Sequence, residues 1–165
     1  MHPLCARWLS EVDRAAAEMQ ALLAEGEKLD AAGADAAASP LRWMGLAAGV
    51  AAIYSRLELV MKEIADRVDQ SAPRGEDWRR SLLRQLALPV PGLRQAVIAE
   101  STFALLEPLR RFRHVARNVY AMEIDSARVA AAAEQVPPAL AALRADVAAF
   151  CESGDVAPTG CARAG

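Results

Sequence analysis

Apolar side chains return every three or four residues along most of this chain, and no stretch long enough to build a sheet alternates. That period restricts the fold to packed helices. From residue 4 to about residue 32, Leu9, Val12, Ala16, Met19 and Leu23 share one stripe, with Glu11, Asp13, Arg14, Glu18 and Gln20 between them, which predicts a first long helix. Ser39-Pro40 then reads as a helix start, serine as N-cap and proline at the first helical position, where its missing N–H costs nothing. The helix it opens is expected to run to about Gln70, with Ile53, Leu57, Val60, Ile64 and Val68 facing inward. Its early turns hold Gly45, Ala48, Gly49 and Ala52, small residues that let another backbone approach closely. A subunit interface and packing within the chain both account for that stripe, since glycine costs about 1 kcal/mol against alanine in a helix and needs a packing reason in either case.

Ser71-Ala72-Pro73-Arg74-Gly75 and Pro89-Val90-Pro91-Gly92 bracket a shorter helix, residues 76 to about 88, that carries Trp78, Leu82, Leu83 and Leu86. A fourth helix begins at Glu100 or Ser101, with Leu105, Leu109, Phe112, Ala116 and Val119 as its buried side; Pro108 is expected to kink it or reset its start. Asp125-Ser126 caps a further helix to Glu134, Pro137-Pro138 is expected to interrupt it, and residues 139–151 form the last helix. Residues 95–98 come nearest to a strand and are too short and isolated to build a sheet. The expected fold is an all-α bundle of four to five helices. Residues 1–38 supply an N-terminal helix and linker packed on it, residues 39–152 the bundle, and residues 153–165 a disordered tail.

Composition narrows the chemistry. The chain is 54% hydrophobic but only 5% aromatic, and much of the apolar share is alanine, so close packing through small side chains is favoured. A formal charge of −2 gives no general attraction for nucleic acid; any RNA or DNA contact must come from a local basic cluster. Cys5, Cys151 and Cys161 are odd in number and lie toward the ends, in segments expected to fray, which speaks against a disulfide framework and for a reducing cytoplasm. Neither a secretion signal nor eighteen uncharged apolar residues in a row occurs, so no membrane association is expected. With only His2 and His114 and scattered cysteines, no zinc-ligand spacing exists; phosphate loops ending in Lys-Ser or Lys-Thr and Gly-x-Ser-x-Gly elbows are absent too. No metal or cofactor is expected.

One segment remains: Arg110-Arg111-Phe112-Arg113-His114-Val115-Ala116-Arg117-Asn118-Val119-Tyr120. At 100° per residue Arg113, Arg117 and Tyr120 share a face, and Arg111, His114 and Asn118 form the adjacent ridge. Guanidinium groups bind phosphate oxygens bidentately and stabilise the charge that builds during phosphoryl transfer, so such a cluster suits a phosphodiester. The plain reading is a solvated helix face. Glu58 likewise reads by default as a solvated helix acid, with pairing to an arginine of this cluster as the alternative.

The segment resembles the HEPN domains, specifically the HepT-like toxins of bacterial toxin–antitoxin modules, whose signature is arginine, four residues, histidine, one residue, tyrosine. Here Arg113 is followed by His114-Val115-Ala116-Arg117, then Asn118, Val119 and Tyr120. Similar stretches are Ile53-Tyr54-Ser55-Arg56-Leu57-Glu58 and Pro73-Arg74-Gly75-Glu76-Asp77-Trp78 with Leu82-Leu83, and the likeness covers residues 48 to about 150. It implies a HEPN-like, up-and-down helical bundle, a homodimer with the two arginine motifs facing each other, and metal-independent RNA cleavage. It also implies a partner of minimal nucleotidyltransferase fold, with Tyr120 as the residue such a partner would modify.

The departure is Asn118, which stands where the family has its catalytic histidine. An amide neither takes up nor releases a proton near neutral pH. Arg113 and Arg117 can stabilise a phosphorane, but proton transfer then falls either on His114, about 6 Å back along the helix from four residues at 1.5 Å rise, or on no residue at all. The candidate set is therefore Arg113, His114 and Asn118 for catalysis, Arg110 and Arg117 for substrate, Tyr120 for modification and Glu58 in support. Three functions fit it: a HepT-like endoribonuclease toxin; an inactive relative that binds RNA or a nucleotidyltransferase antitoxin; and a helical scaffold whose arginines meet acids of their own fold.

Overall fold

The computed structural model describes residues 2–33, 35, 39–118, 125–154 and 156, with the side chains of His114, Val115, Arg117 and Asn118 outside the description. Within them the chain forms α1 (Pro3–Ala31), α2 (Pro40–Ile64, continued by a wider π turn, Ala65–Asp69), α3 (Trp78–Ala87), α4 (Glu100–Asn118) and α5 (Ser126–Glu152). The all-α reading holds: among the described residues the only strand-like pairing is an isolated bridge between Val90 and Arg94. Four long helices close a square in which α1 touches α2 and α5, α4 touches the same two, and α3 packs on α2 and α4.

Polar contacts fix the directions. Arg42 near the start of α2 reaches Asp30 at the end of α1 at 2.7 Å, while Arg7 pairs with Glu63 at the opposite ends, so the two helices run antiparallel. Arg144 of α5 meets Asp13 of α1 at 2.5 Å, and Asp146 accepts the Ala99 N–H beside the start of α4 at 2.8 Å. Up-and-down order follows from these pairs.

Each helix buries a seam. On α2 the expected Ile53, Leu57, Val60, Ile64 and Val68 are all buried. On α1 the seam is Cys5, Trp8, Val12, Ala15 and Met19, one residue round from the expected stripe, with Leu9, Ala16 and Leu23 at its flank. The largest side chain decides the rotation: full burial of an apolar side chain is worth roughly 1.5–3 kcal/mol, and the Trp8 side chain is the one worth most to hide. On α4 the seam is Thr102, Leu106, Leu109 and Arg113, again turned from the expected line, so Leu105, Phe112 and Ala116 are only half-buried; Val119 lies outside the described residues.

Three expectations are corrected. Pro108 neither breaks nor restarts α4, and Pro137-Pro138 does not divide α5, which runs unbroken to Glu152. All three prolines are exposed, and Val136, Ala139 and Leu140 beside the pair are buried, so packing on both sides outweighs the lost intrahelical bonds. Cys5 and Cys151 form a disulfide joining α1 to α5. The two cysteines stand in packed helices, not frayed ends, and the case they made for a reducing compartment goes with that correction. Of the expected tail, Val156 is buried, while residues 155 and 157–165 lie outside the description.

The small-residue stripe of α2 divides. A Cβ on Gly49 would stand 2.5 Å from Leu22 Cδ1, so there the glycine admits α1. Gly45 has nothing within 4 Å, and with Leu41, Ala48, Ala52 and Leu59 it leaves an exposed face. By length and composition Pro40–Asp69 could cross a membrane; half of its most apolar window is buried inside the bundle, as in a core helix.

Candidate functional site

The inward turn of α4 sets the site. Arg113 occupies a seam position and is 8% exposed, so its charge needs a partner inside the protein. α2 supplies it from the facing turns. Arg113 Nε donates to Ser55 Oγ at 2.6 Å and lies 3.3 Å from Glu58 Oε2, while the Ser55 hydroxyl donates a hydrogen bond to the Ala51 carbonyl at 2.8 Å. Arg79, on the first turn of α3, approaches the same carboxylate, its Nε 3.2 Å from Oε1. One buried acid therefore binds two guanidiniums from two helices.

Glu58 is 4% exposed, which overturns its default reading as a solvated helix acid and supports the pairing alternative. Burial pushes its carboxyl above the ordinary carboxylate range, although Arg113 and Arg79 both pull it down. Beside it Tyr54 is buried, and its hydroxyl finds no hydrogen-bond partner among the described residues. Burial first, and Glu58 second, push that phenol far above its usual value, so it stays protonated at any physiological pH.

The remaining arginines of the α4 cluster divide between two sides of the helix. Arg110 grips Glu107 through Nε and Nη2, at 2.7 Å and 2.9 Å, and these bonds hold the Glu107 carboxyl below its ordinary value. Arg111 reaches Glu107 at 3.1 Å with most of its side chain in solvent, and lines an open groove of about 510 Å³ between α4 and α5 together with Phe112 and Arg128. Arg110 and Arg113 thus feel the Tyr54 side of α2, whereas Arg111 faces the groove between α4 and α5. Tyr120 lies outside the described residues, as do the side chains of His114, Arg117 and Asn118. Among the described residues no group of three or more His, Cys, Asp or Glu is placed to hold a metal ion.

These groups come from α2, α3 and α4, and a family model described as HepT-like protein matches residues 45–153, which spans all three and α5. The chain belongs to the HepT-like family. No curated protein and no solved structure matches it. In this HepT-like chain the matched region excludes α1, yet α1 contributes Trp8, Val12 and Met19 to the common core.

Sequence reasoning missed Tyr54, Ser55, Arg79 and Glu107 as members of the site. Tyr54 and Ser55 lay in a stretch already noted for its likeness to the family, and Ser55 is three residues from Glu58, hence on the same face. Nothing in the local sequence marks Arg79 or Glu107 apart from other helix charges.

Proposed function

We propose that this HepT-like protein is the effector half of a toxin–antitoxin pair and that it holds RNA by its phosphodiester backbone at the α4 arginines, with cleavage weakened by Asn118. The observation that carries the reading is the seating of Arg113 on Ser55 and Glu58. A guanidinium fixed by a buried carboxylate keeps its charge and its orientation, and a cation in a poorly solvated setting acts more strongly on an anion brought to its edge. Transfer of the 2′-hydroxyl proton and protonation of the leaving 5′-oxygen fall to His114, the only imidazole of the motif.

A second copy is the proposed partner at the exposed α2 face, where Leu41 is 76% and Leu59 68% exposed. By helical geometry this face borders Ser55, so a subunit seated there would flank the site. An antitoxin of minimal nucleotidyltransferase fold, modifying Tyr120, completes the proposed pair.

The scaffold reading has one observation in its favour: Arg113 and Arg110 are both paired inside their own subunit. Purified protein incubated with labelled RNA in EDTA separates the two. RNA binding that is lost in Arg113→Ala, together with cleavage that rises in Asn118→His and a dimer by sedimentation, is the expected result. A wild-type protein with no affinity for RNA at low salt leaves the scaffold.

A further inference from the structure

Arg79 stands outside the motif-bearing helix, yet it shares the acid that fixes Arg113. One guanidinium suffices to neutralise Glu58, so the second is surplus to that charge. The two differ in access: the side chain of Arg79 is 34% exposed and that of Arg113 10%. Arg79 is also held from below, its guanidinium lying over the Trp78 ring with 4.5 Å to the centroid. Pinned through Nε on one edge and through its plane on Trp78, the side chain has given up most of its rotamer freedom before any ligand arrives. A planar fork held in this way is suited to two hydrogen bonds with phosphate oxygens. Arg110 and Arg113 are largely covered and face Glu107, Asp77 and Glu58, so Arg79 is the guanidinium of this cluster with the most open access to an arriving anion.

We infer that Arg79 is a further RNA-binding residue of this site, taking the backbone phosphate next to the one offered to the α4 arginines. The inference rests on the reading of the site as an RNA-phosphate site. It makes Arg79 a determinant of affinity and not of the chemical step. Trp78, half-buried beneath it, keeps the guanidinium plane from turning away.

The test is fluorescence anisotropy of a labelled single-stranded RNA of mixed sequence, with the full chain, across a series of salt concentrations. Wild type is compared with Arg79→Ala, Arg79→Lys and Arg113→Ala, and thermal midpoints are measured alongside. Arg79→Ala should weaken binding about tenfold and lower the slope of log affinity against log salt by about 0.7, the loss of one phosphate contact on a single strand. Arg79→Lys should keep the slope and recover part of the affinity. Arg79→Gln, which still offers Glu58 a donor, carries the slope measurement if the alanine variant fails to fold. An unchanged slope in the uncharged variants, with binding still lost in Arg113→Ala, overturns the role of Arg79 alone. A wild type that does not bind this RNA overturns both this role and the site.

Discussion

Glu58 is a carboxylate whose titration the interior alters. Its carboxyl is raised in the folded chain by burial, with Arg113 and Arg79 opposing, so the folded state binds that proton more tightly than the unfolded chain does. The stabilising contribution is present in acid, below the ordinary carboxylate value, and is lost as pH rises through the raised folded value. Glu107 has the opposite sign: its lowered carboxyl contributes above the ordinary value and loses that contribution in acid. Comparing wild type with Glu58→Gln cancels the Glu107 contribution. In denaturant titrations the stability of wild type relative to the variant should therefore fall as pH rises from the ordinary carboxylate range through the raised folded value. A difference independent of pH would show that Glu58 ionises as it does in water. The sequence left this acid between two readings, solvated or paired with an arginine of the cluster, because a glutamate on a helix reads the same whether it meets water or a guanidinium. What decides is the rotation of α4 that carries Arg113 inward, and Thr102, Leu106 and Leu109 are the only local trace of it.

The helices themselves were readable, and the misreadings concern their ends and faces. Periodicity found α2 almost to the residue, because Ile53, Leu57, Val60, Ile64 and Val68 keep one stripe through its second half, although Leu41 and Leu59 leave further apolar side chains in solvent. It placed Val12, Met19 and Leu109 correctly but set other members of the α1 and α4 seams one position off, where two adjacent stripes are both apolar and only the bundle as a whole chooses between them. Local rules also overstated proline, since the cost of Pro137-Pro138 is set against buried neighbours that a local rule does not see. The two α2 glycines give a test at this scale. Gly45→Ala meets no atom and should raise stability by about 1 kcal/mol through helix propensity. Gly49→Ala drives a methyl into Leu22 and should lower it by about 1 kcal/mol once the same gain is subtracted from the strain. Equal gains in thermal or denaturant melts would mean that α1 yields at Leu22 without cost.

At the scale of the whole molecule, the family match and the core do not coincide. Residues 45–153 carry the HepT-like likeness, whereas the interior is shared with α1, whose Trp8 is wholly enclosed. The bundle class was legible because α1, α2, α4 and α5 each declare a long helical period. The Cys5–Cys151 bond was not, because pairing depends on two positions 146 residues apart meeting across the α1–α5 contact. That bond makes the covalent topology almost circular: the chain leaves α1, passes through every other helix and is fastened back to where it began. A protease that clips the α1–α2 linker would consequently linearise a loop instead of releasing a piece. The clipped material should elute from a sizing column as one species and separate into two bands only on a denaturing gel run with reductant; two bands without reductant would mean that the thiols stay unjoined.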